Sequence, residues 1–395
     1  MSTKDRRSVA DGRDCVALAS CTEFLYKGRM EPARIGIIGA GQIAKKHLDA
    51  YEKIDGVEVV AVCDIDEQEL QRVAERYAIP HKYTDFRKLL ERDDLQAVDV
   101  CLHNNMHAAV TVEAFNFGKD VYCEKPIAGS YVDGRTMVEA AESSGRKLHI
   151  QIFTLFERET LAAREIIDEG KLGRLYHARS AGYRRRGRPF VDGYGTANFV
   201  KREIAAGGAL HDMGIYHIAQ VLYLLGMPPV ERISGKVYQE TEMDPGRRKS
   251  SGYDVEELGV GFVRFGDGIT MDLIEAWAIQ LDRFNGSSIV GNKGGLRLKP
   301  LGFYSTFCDL DMESTFDLDR MNFRWHKLRE NFDAYDSSHH HWIAVQQGRV
   351  ELLPTARLAL DTMLIQEGIY LSDRLGREVT ADEIKAQSKS TSIKR

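Results

Sequence analysis

A short apolar run, Arg34 to Ile38, leads directly into Gly39-Ala40-Gly41-Gln42-Ile43-Ala44. Strand, glycine turn, helix: this order constrains the fold more than any other stretch of the chain. Gly39 permits the tight turn, Gly41 lets the backbone approach a pyrophosphate, and Ala44 lets the helix lie close on the sheet. The helix start, at Gln42 and Ile43, offers free N–H groups to phosphate. Taken alone, such a turn need not hold a ligand, so the surrounding rhythm has to decide.

That rhythm is strand alternating with helix. Further apolar runs fall at Val57 to Cys63, Ala97 to Leu102, Val121 to Cys123 and Leu148 to Phe153. Helical spacing fills 66–78, 107–118 and 131–145. Alternation of this kind predicts an α/β fold with a doubly wound parallel sheet, a Rossmann fold, over 33–153. The pattern then changes. A helix at 157–170 stops at Gly170, and strand-like runs follow near 174–183, 230–239, 254–265, 268–279, 286–291 and 294–299. Gly266-Asp267-Gly268 is a hairpin signal. Helices are expected at 207–225, 338–347 and 353–374. This half, 154–383, reads as a C-terminal α+β domain with a mostly antiparallel sheet. Residues 1–32 read as a flexible extension and 384–395 as a polar, frayed tail.

Asp64 ends the second strand, 20 residues after Ala44. A carboxylate there accepts both ribose hydroxyls and repels a 2′-phosphate. No arginine follows it in Asp64-Ile65-Asp66-Glu67, which favours NAD over NADP.

Glu124-Lys125-Pro126 closes the run Val121-Tyr122-Cys123. Ligands of parallel sheets sit beyond the carboxyl ends of the strands, so Lys125 belongs beside the reactive end of a bound cofactor. The proline holds it extended. A nearby nicotinamide cation and partial burial would lower its pKa and fit it for proton transfer. In isolation, a surface lysine at a strand end looks the same. A second cluster runs from Gly207 to His217. Asp212 and Tyr216 are four apart and share one face if the helix is continuous. The aspartate suits a lysine or a substrate hydroxyl, and the tyrosine suits a proton relay. His217 is rotated about 100° from Tyr216. The competing reading is a helix whose Tyr and His only cap the core.

Gly39-Ala40-Gly41, Glu124-Lys125-Pro126 and Asp212-Met213-Gly214-Ile215-Tyr216, in this order and separation, resemble the glucose–fructose oxidoreductase/inositol dehydrogenase/MocA (Gfo/Idh/MocA) family over about 33–375. Asn104-Asn105-Met106-His107 is similar to that family's Asn-x-x-His, which lies along the cofactor. Gly170-Lys171-Leu172-Gly173 is similar to its entry into the second domain. The resemblance implies a Rossmann domain beside an open-faced, mostly antiparallel sheet, and oxidoreduction of sugars, cyclitols and related polyols. It implies Lys125, Asp212 and Tyr216 as catalytic residues. It implies Gly39, Gly41, Gln42, Ile43, Asp64, Asn104, His107, Glu124 and Lys125 around NAD, and a cis bond before Pro126. Tyr216 stands where many members carry histidine, as in the family's tyrosine-containing branch. Ala219, His103 and Thr154-Leu155-Phe156 depart from common positions, which leaves the substrate open. Lys125, Asp212, Tyr216, His217 and Arg184 are the substrate-side candidates. A second copy covering the open sheet, as a homodimer or homotetramer, is expected because exposed apolar faces are disfavoured. Two rival readings use the same parts: redox-neutral glycoside cleavage with tightly held NAD, and a non-catalytic sugar or nucleotide sensor.

Other features are less directive. Arg184-Arg185-Arg186-Gly187-Arg188 suits an anionic substrate group, solvent, or acids across a subunit contact. His339-His340-His341 points its rings about 100° apart on a helix, so the three do not ligate one metal, and no metal is expected. Asp254-Val255-Glu256-Glu257 reads as a substrate rim or a polar strand edge. The net charge of -5 gives no pull toward nucleic acid or anionic membrane. No apolar stretch approaches the roughly 20 residues that span a bilayer. Six cysteines without a C-x-x-C pair suit a reducing cytoplasm. Arg6-Arg7 and Leu18-Ala19-Ser20-Cys21 faintly resemble export signals, but the apolar part is shorter than the about 7–15 residues such a signal needs. Translation from Met30 is the other reading of this end.

Overall fold

The computed structural model describes residues 31–282 and 285–393. The expected extension over 1–32 lies almost wholly outside them. The unit beginning at Pro32 is built on two sheets.

The first sheet is all parallel, with strands β1 (Ala33–Ile38), β2 (Val57–Cys63), β3 (His81–Tyr83), β4 (Ala97–Val100), β5 (Asp120–Cys123) and β6 (Leu148–Ile150). Their order is β3-β2-β1-β4-β5-β6. The order reverses between β1 and β4, and that crevice is where such sheets bind dinucleotides. Helices α1 (Gln42–Tyr51), α2 (Glu67–Arg76), α3 (Phe86–Leu90), α4 (Asn104–Asn116) and α5 (Tyr131–Ser144) cover the faces. The central strands β1 and β4 are buried almost throughout, as a sheet covered on both sides requires. Asp66 caps α2 by accepting from Gln68 and Glu69 N–H, and Gly145 ends α5 at φ 64°.

The second sheet has nine strands: β7 (Leu175–Tyr183), β8 (Val230–Tyr238), β9 (Leu258–Phe265), β10 (Thr270–Ala276), β11 (Ser288–Gly291), β12 (Gly295–Arg297), β13 (Gly302–Phe307), β14 (Leu310–Thr315) and β15 (Val379–Thr380). All its pairings are antiparallel except β7 with β10. The Gly266-Asp267-Gly268 turn joins β9 to β10 as the sequence predicts. The β13–β14 hairpin was not expected. Its turn residues Cys308 and Asp309 both sit at positive φ, a hairpin turn that carries no Asn-Gly signal.

Helix α6 (Arg158–Asp168) leads into this half, followed by α7 (Arg202–Ala205), α8 (Ala209–Asp212) and α9 (Gly214–Leu225). The long helix Thr355–Leu375 packs on β8 and α9, and also on α5 and β6. Its buried Leu360, Met363 and Leu364 join Val98, Ile127 and Met137 of the first half in one continuous core. The end of the chain also departs from the expectation of a frayed tail. Thr391 and Ser392 N–H both donate to Asp133 Oδ2, and Ile393 N–H donates to Asn105 O. Among the described residues no helix is long and apolar enough to cross a membrane.

Candidate active site

Gly39, Asp64, Asn104 and Lys125 follow β1, β2, β4 and β5, all at the carboxyl edge of the first sheet. Gly39 has φ 99°, and a Cβ there would stand 2.4 Å from Cys101 O, so only glycine makes this turn. At Gly41 an added Cβ would meet nothing within 4 Å, which leaves open space before α1. No side chain caps α1, so the N–H groups at Gln42 and Ile43 remain available to phosphate. Asp64 Oδ2 accepts from Ala40 N–H at 2.6 Å, and its Oδ1 accepts from Asp66 N–H at 2.9 Å. Asp64 is thus tied to the Gly39–Gly41 turn. Ile65 beside it is 89% exposed, an apolar platform that periodicity did not single out. These residues fit a dinucleotide.

Asn104 opens α4 and donates to Ala205 O at 3.0 Å, which joins the first sheet's edge to α7. His107 and Glu124 were expected along the cofactor. Both are buried, and their side chains are spent on protein partners. His107 bonds Pro126 O at 2.9 Å and Leu102 O at 3.0 Å, with its pKa lowered by burial. Glu124 accepts from Lys125 N–H at 2.9 Å and bonds His47 Nε2 at 2.8 Å. They support the Lys125 turn from behind. The Lys125–Pro126 peptide is cis, as expected.

Lys125 Nζ donates to Asp212 Oδ1 at 2.9 Å and to Asp212 O at 3.1 Å. It also lies 4.8 Å from the centre of the Tyr216 ring. Burial alone would lower this amine's pKa; Asp212, Tyr216 and Glu124 outweigh it and hold the amine well above the usual lysine value. The lowered pKa expected beside a nicotinamide is therefore not the state of the protein alone. Burial pushes Asp212 up, but Lys125 and the Trp277 indole, which donates to Oδ2 at 2.9 Å, keep it below the usual carboxylate value. Burial raises the Tyr216 phenol, with Lys125 opposing. The ring lies 4.5 Å from that of Phe153, tilted by 53°.

The helix carrying Asp212 and Tyr216 is not continuous. Met213, at φ −100°, separates α8 from α9. The two side chains still converge on Lys125, so the shared face survives the break. The glycines that precede them are fixed by packing: a Cβ on Gly208 would stand 1.9 Å from Glu256 O.

Comparison with known proteins now adds to the geometry. The family model described as "Oxidoreductase family, NAD-binding Rossmann fold" matches residues 33–152, and that described as "GFO/IDH/MocA C-terminal domain" matches 160–297. The D-glucoside 3-dehydrogenase of Escherichia coli is 32% identical over 286 residues, which is 69% of this chain and 79% of that protein. The chain belongs to the Gfo/Idh/MocA oxidoreductase family. The inositol 2-dehydrogenase of Salmonella typhimurium is 35% identical over 151 residues, 37% of this chain and 45% of that one. The crystal structure of an oxidoreductase domain protein from Kribbella flavida superposes with a TM-score of 0.75 at 20% identity, over 89% of this chain and 100% of that chain. The protein is thus an NAD-binding Gfo/Idh/MocA oxidoreductase.

The remaining candidates of this Gfo/Idh/MocA chain divide. His217 Nδ1 bonds the buried Glu275 at 3.0 Å, and that carboxylate raises its pKa against burial. Its ring lies on Gly182, where a Cβ would stand 2.0 Å from Cε1. His217 therefore has a partner of its own, separate from the Lys125 group. Arg184 is exposed, bonds Gly187 O and Tyr194, and its charge reaches Asp212. Arg188 is wholly buried between Asp192 and Glu257, so the basic run is neither solvated throughout nor a subunit contact at that position. Glu256 and Glu257 are buried too, Glu256 accepting from Gly208 and Leu210 N–H, so they form neither a rim nor an edge.

Three residues of this site were missed. Trp277 follows β10, 65 positions from Asp212, with no spacing signal to link them. Tyr194 lies in an irregular loop, and burial raises its phenol to about 12. His47 did carry a signal: it shares the buried stripe Ala44, His47, Leu48, Tyr51 of α1, where a titratable side chain needs a partner. Among the described residues, His47, Asp99 and Cys101 bring donor atoms within 4.8 Å of one another, but both His47 nitrogens are already bound to carboxylates.

Proposed function

We propose that this chain transfers a hydride between NAD and a hydroxyl-bearing carbon of a sugar, cyclitol or related polyol. One observation carries the reading: Lys125 Nζ, 2.9 Å from Asp212 Oδ1 and 4.8 Å from the Tyr216 ring centre, stands at the edge of the sheet that fits the dinucleotide. NAD, when bound, supplies the hydride acceptor. Tyr216 takes the hydroxyl proton at its phenolic oxygen. Lys125 donates a hydrogen bond to the substrate oxygen and favours the phenolate by its charge. Asp212 orients Lys125 or a second hydroxyl. Arg184 borders the substrate, and His217 sits one position beyond Tyr216. Relatives named as glucoside and inositol dehydrogenases support this substrate class.

NAD is preferred to NADP because Asp64 meets the ribose edge with a fixed negative charge. The nucleotide belongs to 33–153 and the substrate to 154–383. The open face and the edge hairpin of the second sheet, with Phe307 70% and Leu310 68% exposed, suit a second copy as homodimer or homotetramer. A monomer by light scattering would contradict that. The buried free thiols of Cys63, Cys101 and Cys123 suit a reducing compartment such as the cytoplasm.

The test has two steps. Mass spectrometry of the denatured protein identifies any released nucleotide. Absorbance at 340 nm is then followed with added NAD over a panel including methyl β-D-glucoside and myo-inositol. NADH accumulating with a polyol supports the reading. Glycoside cleavage without accumulation replaces it with the redox-neutral one. No turnover of either kind, with NAD bound, points to a sensor.

A further inference from the structure

We infer that His47 is a positioning residue for Lys125, acting through the buried carboxylate of Glu124. The inference rests on Lys125 as the group that meets the substrate hydroxyl.

His47 Nδ1 lies 2.8 Å from Asp99 Oδ2, and its Nε2 lies 2.8 Å from Glu124 Oε1. Ionised carboxylates only accept, so a ring held between two of them donates from both nitrogens. His47 is then an imidazolium, and burial, which would discharge it, is overcome by the facing Asp99 charge. Tyr51 donates to the same Asp99 oxygen at 3.0 Å, and Cys101 donates to the other at 3.5 Å. The edge of His339 closes the ring's side at 4.5 Å, and Tyr122 stacks at 5.5 Å.

The chain of contacts continues to Lys125. Glu124 Oε2 accepts from Lys125 N–H at 2.9 Å. Both oxygens of Glu124 are therefore assigned, one to the ring and one to the lysine's own peptide. His47 is 1% exposed, Asp99 0% and Glu124 5%, so no water can replace a lost partner. An apolar trio would fill this space with less desolvation cost. What the polar trio adds is direction: His47 fixes the Glu124 carboxylate, which fixes the peptide plane from which the Lys125 side chain leaves toward Asp212. The ring comes from α1, whose first turn faces the phosphate site. One helix thus serves both the nucleotide and the lysine.

Competitive trace labelling with acetic anhydride, read by mass spectrometry on the full chain, tests this without any substrate. Lys125 is compared with the exposed Lys53 in the same digest. H47Q donates to one carboxylate at a time and should release Lys125, raising its labelling by about threefold or more while Lys53 is unchanged. E124Q should raise it too, and the double variant should add nothing beyond the larger single effect, because both act through one chain of contacts. H47Q that unfolds at the wild-type temperature with unchanged Lys125 labelling overturns the inference, as do additive effects. If H47Q fails to fold, H47N, which also leaves the Glu124 charge in place, decides in the same sense. With any polyol that the 340 nm panel yields, H47Q should lower kcat and leave the dissociation constant for NAD in place. Labelling that fails while turnover persists rejects the role of His47 alone. Labelling that changes without any turnover leaves the contact chain standing and rejects the dehydrogenase reading.

Discussion

Lys125 Nζ and Asp212 Oδ1 meet at 2.9 Å across 87 positions of sequence. The pair joins the edge of the parallel sheet to α8 of the second half, so neither half holds the site alone. It also sets the charge of the site. The raised pKa of Lys125 depends on Asp212, which makes the amine a donor and a fixed cation.

Lys125→Ala should lower kcat by about 10²-fold or more, the scale of lost acid–base help, with NAD still bound. Asp212→Asn should lower it less, because the lysine remains. The double variant should be no worse than Lys125→Ala, since the two act as a unit. Steady-state kinetics with nucleotide titration check this, and turnover unchanged in Lys125→Ala removes the lysine from the mechanism.

Asp64→Ala should weaken both nucleotides, because Asp64 Oδ2 also holds the Ala40 N–H of the phosphate turn. The ribose role lies in the ratio: the loss should be larger for NAD than for NADP. Fluorescence titration with each gives the two constants. Equal losses would refute the ribose assignment.

Five strands of the parallel sheet were legible because their signals are local, whereas β3, a three-residue strand without an apolar run, was not. Three of the five end at candidate site residues, Gly39, Asp64 and Lys125. The second sheet was half legible. Strands β7 to β12 show apolar runs and glycine turns, whereas β13 and β14 are joined through Cys308 and Asp309, residues that do not announce a left-handed turn. The His47–Asp99–Glu124 contacts join α1, β4 and the turn after β5, which sequence spacing does not connect. The break at Met213 was hidden for the opposite reason: the sequence on both sides of it is helical.

Five buried histidines make stability pH-dependent. Burial lowers the pKa of His107, and of His149 and His339 well below the usual value, and sets His211 and His341 at about 4. His341 Nε2 accepts from Leu353 N–H, a bond open only to the neutral ring. In the unfolded chain these groups titrate near 6.5. Their contribution is therefore complete above about pH 6.5 and is lost as pH falls toward 4, at up to about 1.4 kcal/mol per pH unit for each group. His47 and His217, whose pKa values are raised, act in the opposite sense and favour the fold below about 6.5. Five groups outweigh two, so urea midpoints should drop between pH 7 and pH 5. A midpoint that holds or rises over that interval contradicts the neutral assignment.

Arg184 and Arg188 belong to one basic run yet should behave oppositely on substitution. Arg188 is fully buried, with Nε 3.0 Å from Asp192 Oδ2 and Nη1 3.0 Å from Glu257 Oε2. It also donates to Thr241 O and Glu242 O, which anchors the segment after β8. Arg188→Ala leaves the buried Glu257 carboxylate without its cation and Asp192 with Arg186 alone, a loss of about 3–5 kcal/mol for a broken buried pair. Arg184 is exposed, and its side chain bonds Gly187 O and Tyr194 at its edge of the site. Its removal should change stability by no more than about 0.5 kcal/mol and should raise the KM for substrate. Denaturant unfolding and steady-state kinetics on the two variants separate these effects. A stable Arg188→Ala protein, or an Arg184→Ala protein that loses stability with its KM intact, would reverse the assignment of the two arginines.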